Sequence, residues 1–508
     1  MSYNNERYKK EIKKPEIRLT YAVLPVLSLI ILLSLSLYLF SDNSSYGPNQ
    51  IALMICAGIA AVIGHKHGCT WKEIEDGIKK GIHLSLSAII ILLFVGALIG
   101  TWILSGTIPT MISIGLKILS PEYFYAAACA LCALVSLSIG SSWSTAGTVG
   151  IGLMGIASSF GMSPAITAGA VVSGAYFGDK ISPLSETTNL APAVLGVDLI
   201  EHIKHMMWTT IPSITIALLI FLFLGFSHHG TGNSENLENI VANLEQQFDL
   251  EWYLLIPLFI LLYMSKKRFP AIPTIMIGAI MGAIFAAFFQ PKAVELLAGS
   301  SEDSEHVLII LKGVWVALYD GYSSNTGNSE IDNLLSKGGM SSMLNTVWLI
   351  LCAMTFGGVL ERTGVLDRLV HESLRFVKGT CSLIVTTMTT CIGLNVITGE
   401  QYISILLPGQ MFRVEFDRYK LEQKNLSRTL EDAGTITSPL IPWNSCGAYM
   451  SATLGVSTFV YLPFALFNLI NLAVAIFYAY TGFKVKKTSD NDIGSKIQDV
   501  KSIISENK

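Results

Sequence analysis

The chain has 508 residues, of which 51% are hydrophobic and only 14% charged, with a formal net charge of −3 and a mean hydropathy of +0.53. Soluble domains carry roughly a quarter charged residues, so this composition excludes an ordinary water-soluble fold and fits an all-α polytopic membrane protein in lipid. No nucleic-acid partner and no cofactor are expected.

Apolar stretches near 20–40, 49–63, 84–104, 208–226, 251–264, 271–289, 343–360 and 459–482 are spanning-helix candidates by length. The first is too long for a secretion signal and lacks a small-residue cleavage site, so it reads as the first membrane helix. Lys and Arg gather on the cytoplasmic side of membrane proteins, so loop charge gives topology. Arg7, Lys9, Lys10, Lys13, Lys14 and Arg18 place the tail 1–19 inside, whereas the loop 41–50 has no basic residue and reads as external. Lys66, Lys72, Lys79 and Lys80 return the chain inside. Residues 227–250 carry Glu235, Glu238, Glu245 and Asp249 without a Lys or Arg, an external linker between an N-terminal half (20–226) and a C-terminal half (251–483). Lys266, Lys267 and Arg268 mark an internal turn, the stretch 306–320 reads as interfacial, and Lys484, Lys486 and Lys487 put the tail 484–508 inside.

The two halves share an ordered set of matches. Ser105-Gly106 pairs with Thr363-Gly364, the polar interruption Gly140 to Thr145 with Thr398 to Tyr402, Ser182-Pro183-Leu184 with Ser438-Pro439-Leu440, and Leu195-Gly196-Val197 with Leu454-Gly455-Val456. Four matches in one order predict an internal duplication. Each copy reads as a spanning helix, a half-length re-entrant hairpin with a polar tip (123–160 and 381–413), and a helix broken in its middle (164–206 and 430–456). Basic residues Arg362, Arg368, Arg375 and Lys378 before the second hairpin, and Arg413, Arg418, Lys420, Lys424 and Arg428 after it, make that hairpin enter from inside and the first from outside. The copies are then inverted repeats, with about ten transmembrane helices, two re-entrant hairpins, two broken helices and both termini cytoplasmic.

A break in a membrane helix survives only where protein or a water-filled cavity surrounds it, and half-helix ends near the midplane attract ions. The polar patches offer Ser141, Ser142, Ser144, Thr145, Asp179, Ser182, Glu186, Thr187, Thr188 and Asn189 from the first copy. The second adds Asn395, Thr398, Glu400, Asp432, Thr435, Thr437, Ser438, Asn444 and Ser445. A carboxylate at a bilayer centre costs about 2.5–3.5 kcal/mol on insertion scales, so it calls for a cation, a proton or a partner. Asp179, Glu186 and Glu400 are the expected sodium ligands, because hard cations choose carboxylate, hydroxyl and carbonyl oxygens. Alternatives stand beside this reading. Asp179 can pair with neighbouring Lys180, Glu400 and Asp432 can be interfacial, and single hydroxyls often bond only to backbone carbonyls. His65, His67, His202 and His205 read as solvated interfacial residues. Cys129 and Cys132, and the GxGxxG match at Gly150 to Gly155, read as helix packing.

The run GAYFGDKISPLSETTN from Gly174 to Asn189, together with GSSWSTAGT from Gly140 and SPLIPWN from Ser438 to Asn444, resembles the NhaC family of sodium/proton antiporters. The resemblance spans nearly the whole chain after the first helix. It implies a secondary active transporter of the bacterial cytoplasmic membrane, with sodium and protons as cargo, inverted repeats, a homodimer and an elevator-like moving domain. The family also holds malate/lactate-type organic-acid exchangers and amino-acid carriers, so a small organic anion is the alternative cargo. The absence of Arg from the four polar patches favours sodium/proton exchange. An enzyme is not expected, because neither a paired-His metal motif nor a nucleophile with its base is visible. A channel has no use for buried carboxylates in a duplicated frame, and a pump would need a nucleotide-binding loop.

Overall fold

The computed structural model describes residues 17–40, 44, 46–227, 234–299, 306–325, 332 and 334–488. Residues 1–16 and 489–508 of the expected tails, and 228–233 of the expected linker, lie outside them. Among the described residues the secondary structure is helical, with isolated bridges only at Tyr322–Lys337 and Leu421–Lys487. Eight helices there are long and apolar enough to cross a membrane, or ten if two bent pairs each make one span.

The N-terminal half begins with α1 (Leu19–Phe40), α2 (Pro48–Lys66) and α3 (Trp71–Leu104). Thr70 starts α3 with a capping box, its hydroxyl taking the Glu73 N–H while the Glu73 carboxylate takes the Thr70 N–H at 2.8 Å. At 34 residues α3 is about 51 Å long, more than the roughly 30 Å hydrocarbon core, so its charged first turns extend past the apolar layer. Then come α4 (Thr107–Ile118), α5 (Phe124–Ile139), the short α6 (Ser142–Thr145), a π-helical turn at Ala146–Gly150, and α7 (Ile151–Ser159). The broken helix follows as α8 (Pro164–Ile181) and α9 (Glu186–Leu195), and α10 (Leu199–Ser227) closes the half.

In the C-terminal half, α11 (Ser234–Gln247) occupies much of the expected linker and bends by 87° into the segment ending in α12 (Ile256–Lys266). α13 (Ala271–Phe289), α14 (Pro291–Ala298) and α15 (His306–Tyr319) lead to α16 (Leu344–Thr363) and α17 (Val365–Ser373). The second hairpin is α18 (Thr380–Thr398) and α19 (Gln401–Arg418). Its broken helix runs through α20 (Gln423–Leu430), a π-helical turn at Glu431–Thr435 and a 3-10 turn at Ser438–Leu440 to α21 (Ser445–Leu454). α22 (Thr458–Tyr461) and α23 (Leu466–Thr481) end the chain's described helices.

The matched positions of the two copies adopt matched conformations. Gly106 and Gly364 close the leading helices at φ 78° and 80°, Gly140 and Gly399 turn the hairpin tips at 73° and 67°, and Gly196 and Gly455 end the half-helices at 70° and 69°. All lie in the left-handed region that glycine enters at no steric cost. The hairpins differ from expectation in length. Each leading arm, Pro121–Ile139 and Thr380–Thr398, has 19 residues, about 28 Å and close to a full span, because the polar irregularity is confined to the tip and the return arm. The half-helices after the breaks are short, so residues 199–206, expected within the first broken helix, belong to α10 instead, and the second broken helix starts at Gln423.

Small residues set the packing that holds the breaks in place. A Cβ at Gly174 would stand 2.1 Å from the Cys129 carbonyl oxygen, and one at Gly178 would stand 2.4 Å from the Leu137 nitrogen. α8 therefore runs backbone to backbone along α5, as membrane helices do when no hydrophobic force separates protein from lipid. α3 meets α16 likewise, where a Cβ on Gly358 would come within 2.4 Å of the Gly77 carbonyl.

Candidate functional site

Four helix N-termini are capped at the interruptions, in two matched pairs. At the hairpin tips, Ser141 Oγ accepts the Ser144 N–H at 3.1 Å, and Glu400 accepts the Tyr402 and Ile403 N–H groups at 2.5 and 3.3 Å. At the breaks, Ser185 Oγ accepts the Thr188 N–H at 3.4 Å and Asn444 Oδ1 the Cys446 N–H at 3.0 Å. These caps satisfy donors that a helix start leaves unpaired, which lipid cannot do. Within each copy the tip docks on its own break. Ser142 donates to Asp179 from Oγ at 2.6 Å and from N at 3.3 Å, and in the second copy Ser438 donates to Gln401 at 3.2 Å. Between copies the contacts cross over. Trp143 stacks on Tyr449 of α21 with ring centroids 4.1 Å apart, and Tyr402 donates its hydroxyl to Glu186 of α9.

The two tips and two breaks enclose a cavity of about 640 Å³. Of the residues expected from sequence, Ser141, Ser142, Ser144, Asp179, Glu186, Thr187, Asn189, Glu400 and Ser445 line it. Asp179 and Glu400 are 8% and 5% exposed, whereas Glu186 lies open to the cavity mouth. The matched positions of the two halves differ in chemistry. Where the first copy has Asp179 the second, in the register of Ser182 and Ser438, has Thr435; where the first has Glu186 the second has Ser445, and where the second has Glu400 the first has Ser141. Three carboxylates from both copies share one space with hydroxyl and capped-helix dipoles, an environment able to hold a hard monovalent cation or protons.

The other expected residues lie outside the cavity lining and are occupied locally. Thr145 and Thr398 donate to the Ser141 and Leu394 carbonyls, and Ser182 donates to Leu137 across the α5 contact. Thr188 takes up the carbonyls of Asp179 and Lys180, which the break frees from the helix ladder. Asn395 donates to Gly434 and Thr437 and receives Asn444, tying the second tip to its break, while Thr437 donates to Ala433. Thr435 Oγ1 is buried without a hydrogen-bond partner.

Two expectations need correction. Lys180 does not pair with Asp179. It is fully buried and pairs with Asp432, which also accepts Thr209 Oγ1 at 2.9 Å and Asn471 Nδ2 at 3.0 Å. Asp432 is therefore a core ion-pair partner, neither interfacial nor a cavity residue; adjacent side chains on α8 point about 100° apart, which turns Lys180 away from the cavity that Asp179 lines. His202 and His205 are 0% and 5% exposed, so they are not solvated. His202 Nδ1 lies 2.8 Å from Ser427 Oγ because α10 begins nine residues before the apolar run that marked it in sequence, drawing both rings inside.

Several cavity residues escaped the sequence reading. Gln401 and Tyr402 match Ser142 and Trp143 in the duplication, a signal that would have found them. Arg268, read only as a basic turn, lines the cavity from the α12–α13 connection. Its presence removes the argument that no Arg reaches the site.

Two helix hairpins and two broken helices around a carboxylate-lined cavity are the build of a multi-pass membrane transporter. The description "Na+/H+ antiporter family" belongs to a family model that matches residues 174–483. The "Na(+)/H(+) antiporter NhaC" of Alkalihalophilus pseudofirmus is 40% identical over 94% of this chain and 98% of its own length. An "Uncharacterized Na(+)/H(+) antiporter" of Haemophilus influenzae is 38% identical over 91% of this chain and 96% of its own. The "Malate-2H(+)/Na(+)-lactate antiporter" of Bacillus subtilis is 34% identical over 95% and 98%. The chain belongs to the Na+/H+ antiporter family.

Proposed function

We propose that the protein is a secondary active transporter that exchanges sodium ions for protons across the bacterial cytoplasmic membrane. The observation that carries this reading is the meeting of Asp179, Glu186 and Glu400 with the Ser142 hydroxyl in one cavity at four helix ends. Sodium bound there would take carboxylate and hydroxyl oxygens, and one of these carboxylates, Glu400, would hold a proton when sodium leaves. Protons and sodium then compete, so apparent sodium affinity falls as pH drops; a flat affinity between roughly pH 6 and 9 would count against shared ligands. The charge distribution of the loops supports cytoplasmic termini and an inverted relation between the copies. Alternating access by an elevator-like movement of the hairpin and broken-helix unit, in a homodimer, fits that relation. No step requires enzymatic chemistry.

Arg268 favours a second reading, in which a small organic anion travels with the ions and its carboxylate meets the guanidinium. The relative named as a malate/lactate antiporter fits that reading, and an amino-acid cargo belongs to the same class. Proteoliposomes separate the cases. Sodium, proton, malate and lactate gradients imposed one at a time should yield proton flux from the sodium gradient alone; flux that needs malate or lactate, and is lost in Arg268→Gln, would replace the first reading with the second.

A further inference from the structure

Behind the cavity lies a second acidic group that the exchange described above does not use. Glu431 is 0% exposed on the π-helical turn Glu431–Thr435, and neither of its carboxylate oxygens has a hydrogen-bond partner. One turn on, Thr435 Oγ1 is also buried without one. π-Helical turns inside α-helices are frequent at functional sites, since they hold backbone in a costlier arrangement for a side chain's sake.

The surroundings are charged. The Thr435 hydroxyl, Lys180 and Asp179 of α8, and Asp432 beside it all act on Glu431. Arg428, 3% exposed, sits with Nε 3.8 Å from Asp432. Cys391 of α18 faces Glu431, and His202 and His205 of α10 face Lys180, Arg428 and Asp432. From α23 the neighbours are neutral amides, Asn471 on Asp432 and Asn468 on the Ile436 carbonyl.

Charge balance in this cluster ties Glu431 to the cavity. Lys180 and Arg428 contribute two positive charges, and Asp432 and an empty Asp179 contribute two negative ones. The sum is zero only if Glu431 is protonated. Sodium arriving at Asp179 adds one positive charge, and loss of the Glu431 proton restores zero. The new carboxylate then has the Thr435 hydroxyl, free to rotate, as a donor one turn away. We infer that Glu431 is a second proton site, buried behind the sodium cavity, whose proton is released when sodium occupies Asp179. This inference rests on sodium binding at Asp179 as proposed above, and adds a proton carrier that never touches the cation.

The test uses the full-length protein in detergent and weak buffer, with sodium chloride added and potassium chloride as control. Protons released are counted by a pH dye and sodium bound by calorimetry. Glu431→Gln imitates the protonated form, so it should bind sodium, melt near the wild-type temperature and release one fewer proton per sodium; Glu431→Asp should restore the count. The infrared difference spectrum of the wild type on sodium addition should lose a protonated-carboxyl band that Glu431→Gln lacks, a readout independent of variant folding. An unchanged proton count at equal sodium occupancy, or a wild-type spectrum without that lost band, overturns the inference while sodium binding stands. A wild type that binds no sodium overturns both it and the proposed function.

Discussion

Replacing Asp179 by Asn separates the charge of this side chain from its shape. The carboxylate is 8% exposed and receives Ser142 Oγ at 2.6 Å and Ser142 N at 3.3 Å. An amide keeps the volume and one acceptor oxygen, so the tip stays docked and folding loses about 1 kcal/mol, the difference between a charge-assisted and a neutral hydrogen bond. Sodium binding loses far more. Removing one charge of a desolvated, hydrogen-bonded pair costs about 2–5 kcal/mol, which at about 1.4 kcal/mol per decade weakens sodium affinity about 30-fold to several thousand-fold. Sodium titration calorimetry in detergent reads the affinity, a pH dye inside proteoliposomes under a sodium gradient reads exchange, and a thermal melt reads folding. Exchange should vanish while the melt barely moves. A variant whose affinity stays within about threefold of wild type would refute the placement of the ion at Asp179.

Lys180→Met should leave Asp432 only the more distant Arg428, 3.8 Å away, as counter-charge and lower the melting temperature, by less than the about 3–5 kcal/mol that a wholly uncompensated buried charge costs; an unchanged melt would show that the Lys180–Asp432 pair is not buried as described. Gly178→Ala forces a Cβ to within 2.4 Å of the Leu137 nitrogen, and overpacking of this kind costs about 1–3 kcal/mol, so the melting temperature should fall and the first tip loosen. Ser142→Ala removes the shorter bond to Asp179 but leaves the backbone one, so sodium affinity should drop about tenfold or less, for one hydrogen bond to a charge. In a Cys-free background, Ser158→Cys should react with an impermeant reagent from outside and Arg418→Cys only from inside; labelling of both from one face would contradict the inverted arrangement.

Membrane class and the polar interruptions were legible in the chain because each is a local property: apolar run length, glycine at a turn, carboxylates and hydroxyls beside a Pro. A cap such as Ser185 or Glu400 is set within four residues, so the hairpin tips and breaks could be placed from sequence, and with them nine cavity residues. Hairpin length was misread because a polar tip says nothing about how far the apolar arm before it extends. Pairing was not legible at all. Lys180 has an acidic neighbour in sequence yet bonds one 252 positions away, since helical geometry turns adjacent side chains to different faces and only helix packing decides which distant charge each meets. The same holds for Arg268, which chain order assigns to a surface turn and packing brings to the cavity, and for Glu431, an ordinary acidic residue in the sequence until the surrounding helices leave its oxygens without donors.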